Sequence, residues 1–165
     1  MEGSTSTDSG AMISDGIKAL EQIGVCPETA WPYNIQKFAD KPTDGCYVLA
    51  HKHVYNRGFN IDNTDLDQMR SAIYHNNPFA VGIAVYESFE SQEVANTGNV
   101  HMPDIASEKM LGGHALAVIG YNDLDQTFTV RNSWGDSWGD KGYCYIPYKY
   151  LLDPSLSSDA WSLDV

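Results

Sequence analysis

The hydrophobic pattern of the chain begins with helical spacing. Residues 10–24 read GAMISDGIKALEQIG, in which apolar side chains recur every three or four positions and Gly24 supplies a left-handed stop. The residues that set this spacing are Ile13, Ile17, Leu20 and Ile23. Residues 64–76 read TDLDQMRSAIYHN, with an acidic first turn and one apolar face. The pattern therefore predicts two amphipathic helices.

Most of the remaining pattern has a period of about two. β-branched and aromatic residues fill a series of short runs that Gly, Asp and Asn separate, which favours strands. These runs are FAVGIAVY (79–86), HALAVIGY (114–121), TFTVRNSW (127–134) and GYCYIPY (142–148). Tyr47 to Tyr55 is also strand-like, and DAWSLDV (159–165) supplies a last strand. We predict an α+β fold built mainly on an antiparallel sheet or half-barrel.

Two segments lack a regular period. Residues 26–46 are rich in Pro, Asn and Asp, and we expect a surface loop that Trp31 and Tyr33 anchor. Residues 87–113 form a long excursion between the first two strands of the sheet. Loops of that length in a compact domain are usually functional.

Composition and charge narrow the function classes. At 165 residues and 42% hydrophobic, the chain has the length of one domain with a sizeable core. It carries 22 acidic and 10 basic residues, a net charge of -12, so we expect neither nucleic acid nor an anionic membrane as a partner. The sequence shows no membrane-length apolar run and no signal peptide, so it assigns no location.

Cysteine and histidine usage predicts no metal or cofactor. Three cysteines, Cys26, Cys46 and Cys144, are too few and too widely spaced for a disulfide scaffold or a paired CxxC zinc site. His51 and His53 would share one face of the predicted strand, but no third ligand is evident. A solvated pair is the better interpretation.

A histidine and an asparagine are candidates for two of the three catalytic groups of a thiol enzyme. Thiol catalysis requires a thiolate, a base that takes the thiol proton and later protonates the leaving amine, and a group that orients the imidazole. His114 and Asn132 suit the last two roles. Taken alone, a histidine at the start of an apolar strand is more often structural.

The surrounding motifs resemble the papain-like cysteine peptidases, the cathepsin family. GGHALAVIGY (112–121) and RNSWGDSWGDKGY (131–143) match the family's histidine and asparagine segments in order and spacing. The resemblance begins at about Thr7 and implies a papain-like fold. It implies that residues 1–35 are a remnant of the helical domain and residues 36–165 are the β-rich domain carrying His114 and Asn132.

The resemblance also implies the roles of individual residues. His114 would be the general base and acid, Asn132 would accept the imidazole N–H, and Trp134 would shield that hydrogen bond from water. Trp138 would line the primed side of the cleft. The substrate-binding positions would be Gly10, Gly82, Leu111, Gly112 and Gly113. Because the family often has a disulfide cysteine near Cys46, Cys26 and Cys46 are also candidates for a disulfide, although the reduced pair is an equal alternative.

No cysteine of the chain is a good candidate for the catalytic nucleophile. The family's helix with the nucleophilic cysteine and its upstream oxyanion glutamine have no counterpart in this sequence. Cys26 follows the Gly24 stop at the negative end of a helix, which disfavours a thiolate. Cys144 alternates with tyrosines and is expected to be a small apolar filler. Cys46 precedes a predicted strand. We therefore expect an incomplete peptidase, acting on peptides or proteins, that is inactive alone.

Other interpretations remain open at this stage. We expect the chain to pair with another copy or with a missing N-terminal chain that carries the nucleophile, because its first helix would otherwise leave an apolar face uncovered. The alternative is a non-catalytic peptide- or protein-binding module derived from a cysteine peptidase. A transglutaminase-like or amidase-like enzyme shares the chemistry but fits the NSWGDSWG segment less well.

Overall fold

The computed structural model describes residues 10–164. The chain forms two compact units: the first runs to Gly58 and includes the last residues from Leu163, and the second is Phe59–Ser162. The Ser/Thr-rich start and Thr7, where the resemblance begins, lie outside the described residues. The division of the chain at residue 35 stays a prediction.

Five α-helices and six strands are present in the described part of the chain. The helices are α1 (Ile13–Gln22), α2 (Asp44–Ala50), α3 (Leu66–Tyr74), α4 (Gln92–Thr97) and α5 (Tyr148–Leu152). The strands are β1 (Arg57–Asn60), β2 (Phe79–Tyr86), β3 (Met110–Asn122), β4 (Thr127–Arg131), β5 (Tyr143–Pro147) and β6 (Ser157–Asp164). Short 3-10 turns occupy Ile35–Lys37 and His51–His53. None of the helices within residues 10–164 has the length and apolar character needed to cross a membrane.

The first unit is built on the predicted N-terminal helix. Helix α1 buries Ile17, whose side chain packs against Gly58, and the carboxylate of Glu21 accepts the Gly58 amide at 2.6 Å. Gly24 ends the helical segment in the left-handed conformation, with φ of +85°. The helix and its stop are therefore both confirmed.

The strand predicted from Tyr47 to Tyr55 is wrong, because this segment begins as helix α2 and continues as the 3-10 turn. Cys46 and Ala50, one helical turn apart, are both buried. Cys46 therefore lies within a helix and does not precede a strand. His51 and His53 are exposed in the 3-10 turn, so they do not share a strand face.

The segment between Cys26 and Cys46 is only partly as predicted. Tyr33 is 80% exposed and does not anchor the loop. The Trp31 ring is half-buried, and the Lys37 ammonium lies 5.4 Å from its centroid. Asn34 accepts the Gln36 amide at 3.0 Å and so caps the short 3-10 turn.

A six-stranded sheet with the order β1-β6-β2-β3-β4-β5 organises the rest of the chain. Strand β2 pairs antiparallel with both β3 and β6, β3 pairs with β4, and β4 pairs with β5. All four central predicted strands and the last strand are confirmed. Together with the helices, the sheet confirms the α+β class.

The core of the second unit lies under one face of this sheet. Strand β2 alternates strictly between buried and half-buried positions, which places Phe79, Val81, Ile83 and Val85 in the core. Helix α3 begins at an Asp65 side chain that accepts the Gln68 amide, and it buries Met69 and Ala72 in the same cluster. These contacts fix β2 and β3, the strand that carries the candidate histidine.

The excursion between β2 and β3 is ordered by a carboxylate at its end. The two oxygens of Glu108 accept the amides of Ser88 at 2.8 Å and Asp104 at 2.7 Å. A hydrogen bond from the Ser88 side chain, together with these two amides, holds the pKa of Glu108 below its usual range. Inside the excursion, Ser91 caps α4 and Gly98 ends it in the left-handed conformation. The same segment buries Phe89.

Candidate active site

His114 lies on β3, an interior strand of the sheet that pairs with β2 on one side and β4 on the other. It pairs across the ladder with Ile83, and its side chain is half-buried. In the neighbouring pair of strands, Ala117 lies opposite Arg131, the last residue of β4. Continuing that antiparallel register past Arg131 would place residue 134 opposite His114.

Asn132 directly follows β4 and is 6% exposed. Its backbone amide donates to the Gly142 carbonyl at 2.9 Å, which holds the turn after β4 closed. Gly142 has φ of +87°, and a side chain there would lie 3.2 Å from the Gly135 carbonyl oxygen, so glycine is required. The turn therefore fixes the Asn132 side chain toward β3.

The two side chains form a direct hydrogen bond. His114 Nε2 lies 2.8 Å from Asn132 Oδ1. Because a carboxamide oxygen can only accept, Nε2 carries the proton and donates it. In the neutral form of the ring this leaves the lone pair on Nδ1, the nitrogen that could take a proton from a thiol. Asn132 Oδ1 also accepts the Ser133 amide at 2.8 Å.

The other atom of the carboxamide is unpaired. Asn132 Nδ2 is a buried donor with no hydrogen-bond partner among residues 10–164. A buried amide N–H without an acceptor costs about 1–3 kcal/mol. This cost offsets part of the stabilisation from the two hydrogen bonds that Asn132 Oδ1 accepts.

Trp134 covers the histidine. The two rings stack with centroids 4.9 Å apart and planes inclined by 26°. Trp134 is 39% exposed, so one face of its indole lies on the imidazole while part of the ring faces solvent. Such a cover lowers the local dielectric constant around the hydrogen bond.

An aromatic cluster extends from Trp134. Trp138 meets it edge-on with centroids 5.1 Å apart, and Phe89 meets it edge-on at 5.7 Å. Phe89 also lies 5.8 Å from Trp138 and is 1% exposed. Phe89 was not predicted from the sequence, since its position within an aperiodic excursion gives no signal that it contacts a turn more than 40 residues away.

The predicted substrate-binding glycines belong to different units. Gly82 lies opposite Ala115, and Gly112 and Gly113 lie opposite Val85 and Ala84. These three positions lie on the β2–β3 pair beside His114, and Leu111 next to them is 44% exposed. Gly10 belongs to the first unit.

The three thiols occupy different settings. Cys144 is fully buried on β5, and burial raises the pKa of its thiol to about 12. Cys26 and Cys46 belong to the first unit and are both free thiols. No group of three His, Cys, Asp or Glu side chains in the described part of the chain could hold a metal ion.

The chain resembles known cysteine proteases over most of its length. It matches the profile of the papain family of cysteine proteases over residues 3–152. It is 42% identical over 168 aligned positions to an uncharacterized peptidase C1-like protein, L477, of Acanthamoeba polyphaga mimivirus, covering 98% of this chain and 54% of that protein. The match to a cathepsin B-like cysteine proteinase 3 of Caenorhabditis elegans is 32% identical and covers 58% of this chain and 25% of that protein.

Solved structures give the same result. The fold superimposes on Xylellain, a cysteine protease from Xylella fastidiosa, with a TM-score of 0.91 and 33% identity, covering 99% of this chain and 65% of that one. It also superimposes on digestive procathepsin L 3 of Tenebrio molitor with a TM-score of 0.71, at 17% identity and over 94% and 49% of the two chains, a likeness of fold alone. The chain spans about half the length of its first curated relative.

Proposed function

Because the chain belongs to the papain family of cysteine proteases, we propose that it supplies the histidine and asparagine of a cysteine-peptidase active site. The observation that carries this proposal is the 2.8 Å hydrogen bond from His114 Nε2 to Asn132 Oδ1 beneath Trp134. A purely structural histidine needs a hydrogen-bond partner. It does not need an indole stacked on its ring, or a partner carboxamide whose own Nδ2 donor is buried without an acceptor.

The proposed chemistry is acyl transfer to a cysteine thiolate. His114 Nδ1 takes the thiol proton, the thiolate attacks the scissile carbonyl carbon, and the same nitrogen returns the proton to the leaving amine. Water then hydrolyses the thioester with His114 again acting as the base. Asn132 keeps the imidazole in one tautomer and one orientation throughout, and Trp138 lines the side of the cleft where the leaving group departs.

The thiol comes from outside Cys26, Cys46 and Cys144. Cys144 is sealed in the core, and its raised pKa keeps it protonated at neutral pH. Cys26 lies beyond the C-terminal end of α1, where the helix dipole disfavours an anion. The chain alone is therefore inactive, and a preceding segment or a second chain completes the site.

The proposed substrate is a peptide or protein with a bulky apolar side chain beside the cleaved bond. Gly112 shares a face of the β2–β3 pair with His114, and the absence of a side chain there leaves room next to His114, while Gly82 and Gly113 lie on the other face of the same pair. No heavy atom lies within 4 Å of where a side chain at Gly112 would begin. A peptide library that showed a preference for small or charged residues there would contradict this specificity.

A chimera provides the test of the function. The part of Xylellain that this chain does not cover would be joined to it at the aligned boundary, and the product assayed with a fluorogenic dipeptide and an epoxide thiol probe under reducing conditions. We expect turnover and probe labelling by the chimera, and neither by the chain alone. His114→Ala in the chimera should lower turnover by about a million-fold.

The controls separate catalysis from folding. Asn132→Ala should lower turnover less than His114→Ala, by at most about 10⁴-fold, because a neutral carboxamide orients the ring without neutralising charge. His75→Ala, which changes an exposed histidine at the C-terminal end of α3, should leave turnover unchanged. A folded chimera that is inert, or whose rate survives His114→Ala, would favour the non-catalytic binding module.

A further inference from the structure

The segment that follows α1 lies along α2. A side chain at Gly24 would overlap the Ala50 carbonyl oxygen and lie 2.7 Å from that of His53, so the backbone touches the C-terminal end of α2 directly. Val25 strengthens this contact, because its amide donates to the His53 carbonyl at 3.3 Å. Residues 24 and 25 are therefore fixed against the end of α2.

Cys46 faces this segment from within α2. It lies one helical turn before Ala50 on the same face of the helix, and it is 4% exposed. Its Sγ lies 3.7 Å from the Ala30 carbonyl oxygen and 3.3 Å from Thr43 Oγ1. The chain passing from Gly24 to Ala30 therefore passes the Cys46 thiol, and Cys26 lies on that path.

The two thiols interact electrostatically. Partial burial raises the pKa of the Cys26 thiol, and the neighbouring Cys46 thiol raises it further. Cys26 is half-buried and Cys46 is buried, so solvent reaches the pair through Cys26. Access to solvent, and not thiol acidity, therefore makes Cys26 the site where reaction with a dissolved disulfide begins, through its small thiolate fraction.

We propose that Cys26 and Cys46 are a redox-sensitive pair that forms a reversible disulfide. The oxidant is a small-molecule disulfide such as oxidised glutathione. The Cys26 thiolate attacks one sulfur of that disulfide and releases one thiol, and Cys46 then displaces the second thiol from the mixed disulfide. Two protein thiols and one disulfide thus become one protein disulfide and two small thiols.

A disulfide between Cys26 and Cys46 would constrain the segment between them, which carries exposed aromatic side chains of the first unit. It closes a loop of 21 residues, counted from Cys26 to Cys46. This loop contains an open cavity of about 530 Å³ lined by Trp31, Pro32, Tyr33, Asn34, Ile35 and Lys37. Oxidation would restrain this segment by a covalent link near Ala30. The inference concerns the first unit and does not depend on peptidase activity.

The test is an equilibrium titration of the intact chain in glutathione redox buffers, followed by acid quenching, alkylation, tryptic digestion and mass spectrometry. Cys26 lies in the tryptic peptide 19–37 and Cys46 in 38–52, because Pro42 protects Lys41 from cleavage. We expect these two peptides to appear linked, and the link to be reversed by reduced glutathione. The equilibrium constant for the bond should be at least about ten-fold larger in the folded chain than in urea, because folding already brings the thiols together.

Internal and matched controls accompany the titration. Cys144, in the peptide 142–149, should stay reduced and become alkylated only after unfolding. Cys26→Ser should leave Cys46 unlinked and should not change the thermal midpoint of the reduced protein by more than a few degrees. Three results would overturn the proposal: a stable glutathione adduct on Cys26, links between chains in place of the internal link, or equal equilibrium constants in buffer and in urea.

Discussion

At the residue scale, Asn132 accepts two N–H groups with its oxygen while its nitrogen is buried without a partner. The favourable and unfavourable halves of one carboxamide therefore largely offset each other in stability. Packing alone gives no reason to bury an unpaired donor, and the arrangement is the one expected where a side chain orients a catalytic ring.

Comparing two asparagines tests this offset. Asn132→Ala should change the free energy of unfolding by less than about 1 kcal/mol, since it removes the unpaired donor together with the two accepted bonds. Asn63→Ala should cost about 2–3 kcal/mol, because the two N–H groups of Asn63 Nδ2 are shared among three acceptors, the Leu151 carbonyl, the Ser157 carbonyl and the Ser157 hydroxyl. Urea denaturation measures both, and equal costs would contradict the assigned role of Asn132 Nδ2.

At the element scale, glycines at two positions near α1 have opposite effects on stability. Gly24→Ala should destabilise the first unit by more than about 1 kcal/mol, because alanine there has a positive φ and overlaps the Ala50 carbonyl. Gly16→Ala, in the interior of α1 with no atom within 4 Å of the added methyl group, should stabilise it by about 0.5–1 kcal/mol. Thermal unfolding of the two variants gives the sign of each effect, and a loss of stability in both would contradict this account of α1.

The elements that sequence analysis predicted correctly are those whose pattern reflects burial directly. Strand β2 alternates at every position, and α1 repeats its apolar residues at helical spacing. Helix α2 was missed because Tyr47 and Val48 suggested a strand, whereas its helical state depends on burying Cys46 and Ala50 together against the segment after Gly24.

The candidate site could be predicted only in part. The residues His114 and Asn132 were found from their motifs, but the contact between them depends on the register of β3 and β4, which the sequence does not specify. The support by Phe89 depends on how the excursion between β2 and β3 folds back on the turn after β4. The Ser91 cap and the Gly98 stop of α4 were visible signals within that excursion.

At the scale of the whole molecule, large apolar side chains are exposed in the first unit. Tyr33, Phe38 and Val48 are each more than half exposed. Exposed apolar surface of this kind favours association, so the self-association expected from the sequence remains our proposal.

Sedimentation equilibrium over a range of concentrations measures this association. We expect the average mass to rise above that of one chain with concentration, and the rise to diminish in the double variant Phe38→Ser, Val48→Ser. Leu124→Ser, which changes a side chain that is 95% exposed in the second unit, should leave the rise unchanged. A monomer at all concentrations, or equal effects of the two variants, would contradict self-association through the exposed apolar side chains of the first unit.

The measurement that tests the central claim most directly is long-range ¹H–¹⁵N NMR of the His114 imidazole, in the chain as it is and in Asn132→Ala. We predict a ring that carries a proton on Nε2, and this proton exchanges slowly with water because Asn132 Oδ1 binds it and Trp134 covers it. In Asn132→Ala the slow exchange and the tautomer preference should both be lost. A ring protonated at Nδ1, or one that Asn132→Ala leaves unchanged, would contradict the assignment of His114 and Asn132 as a catalytic pair.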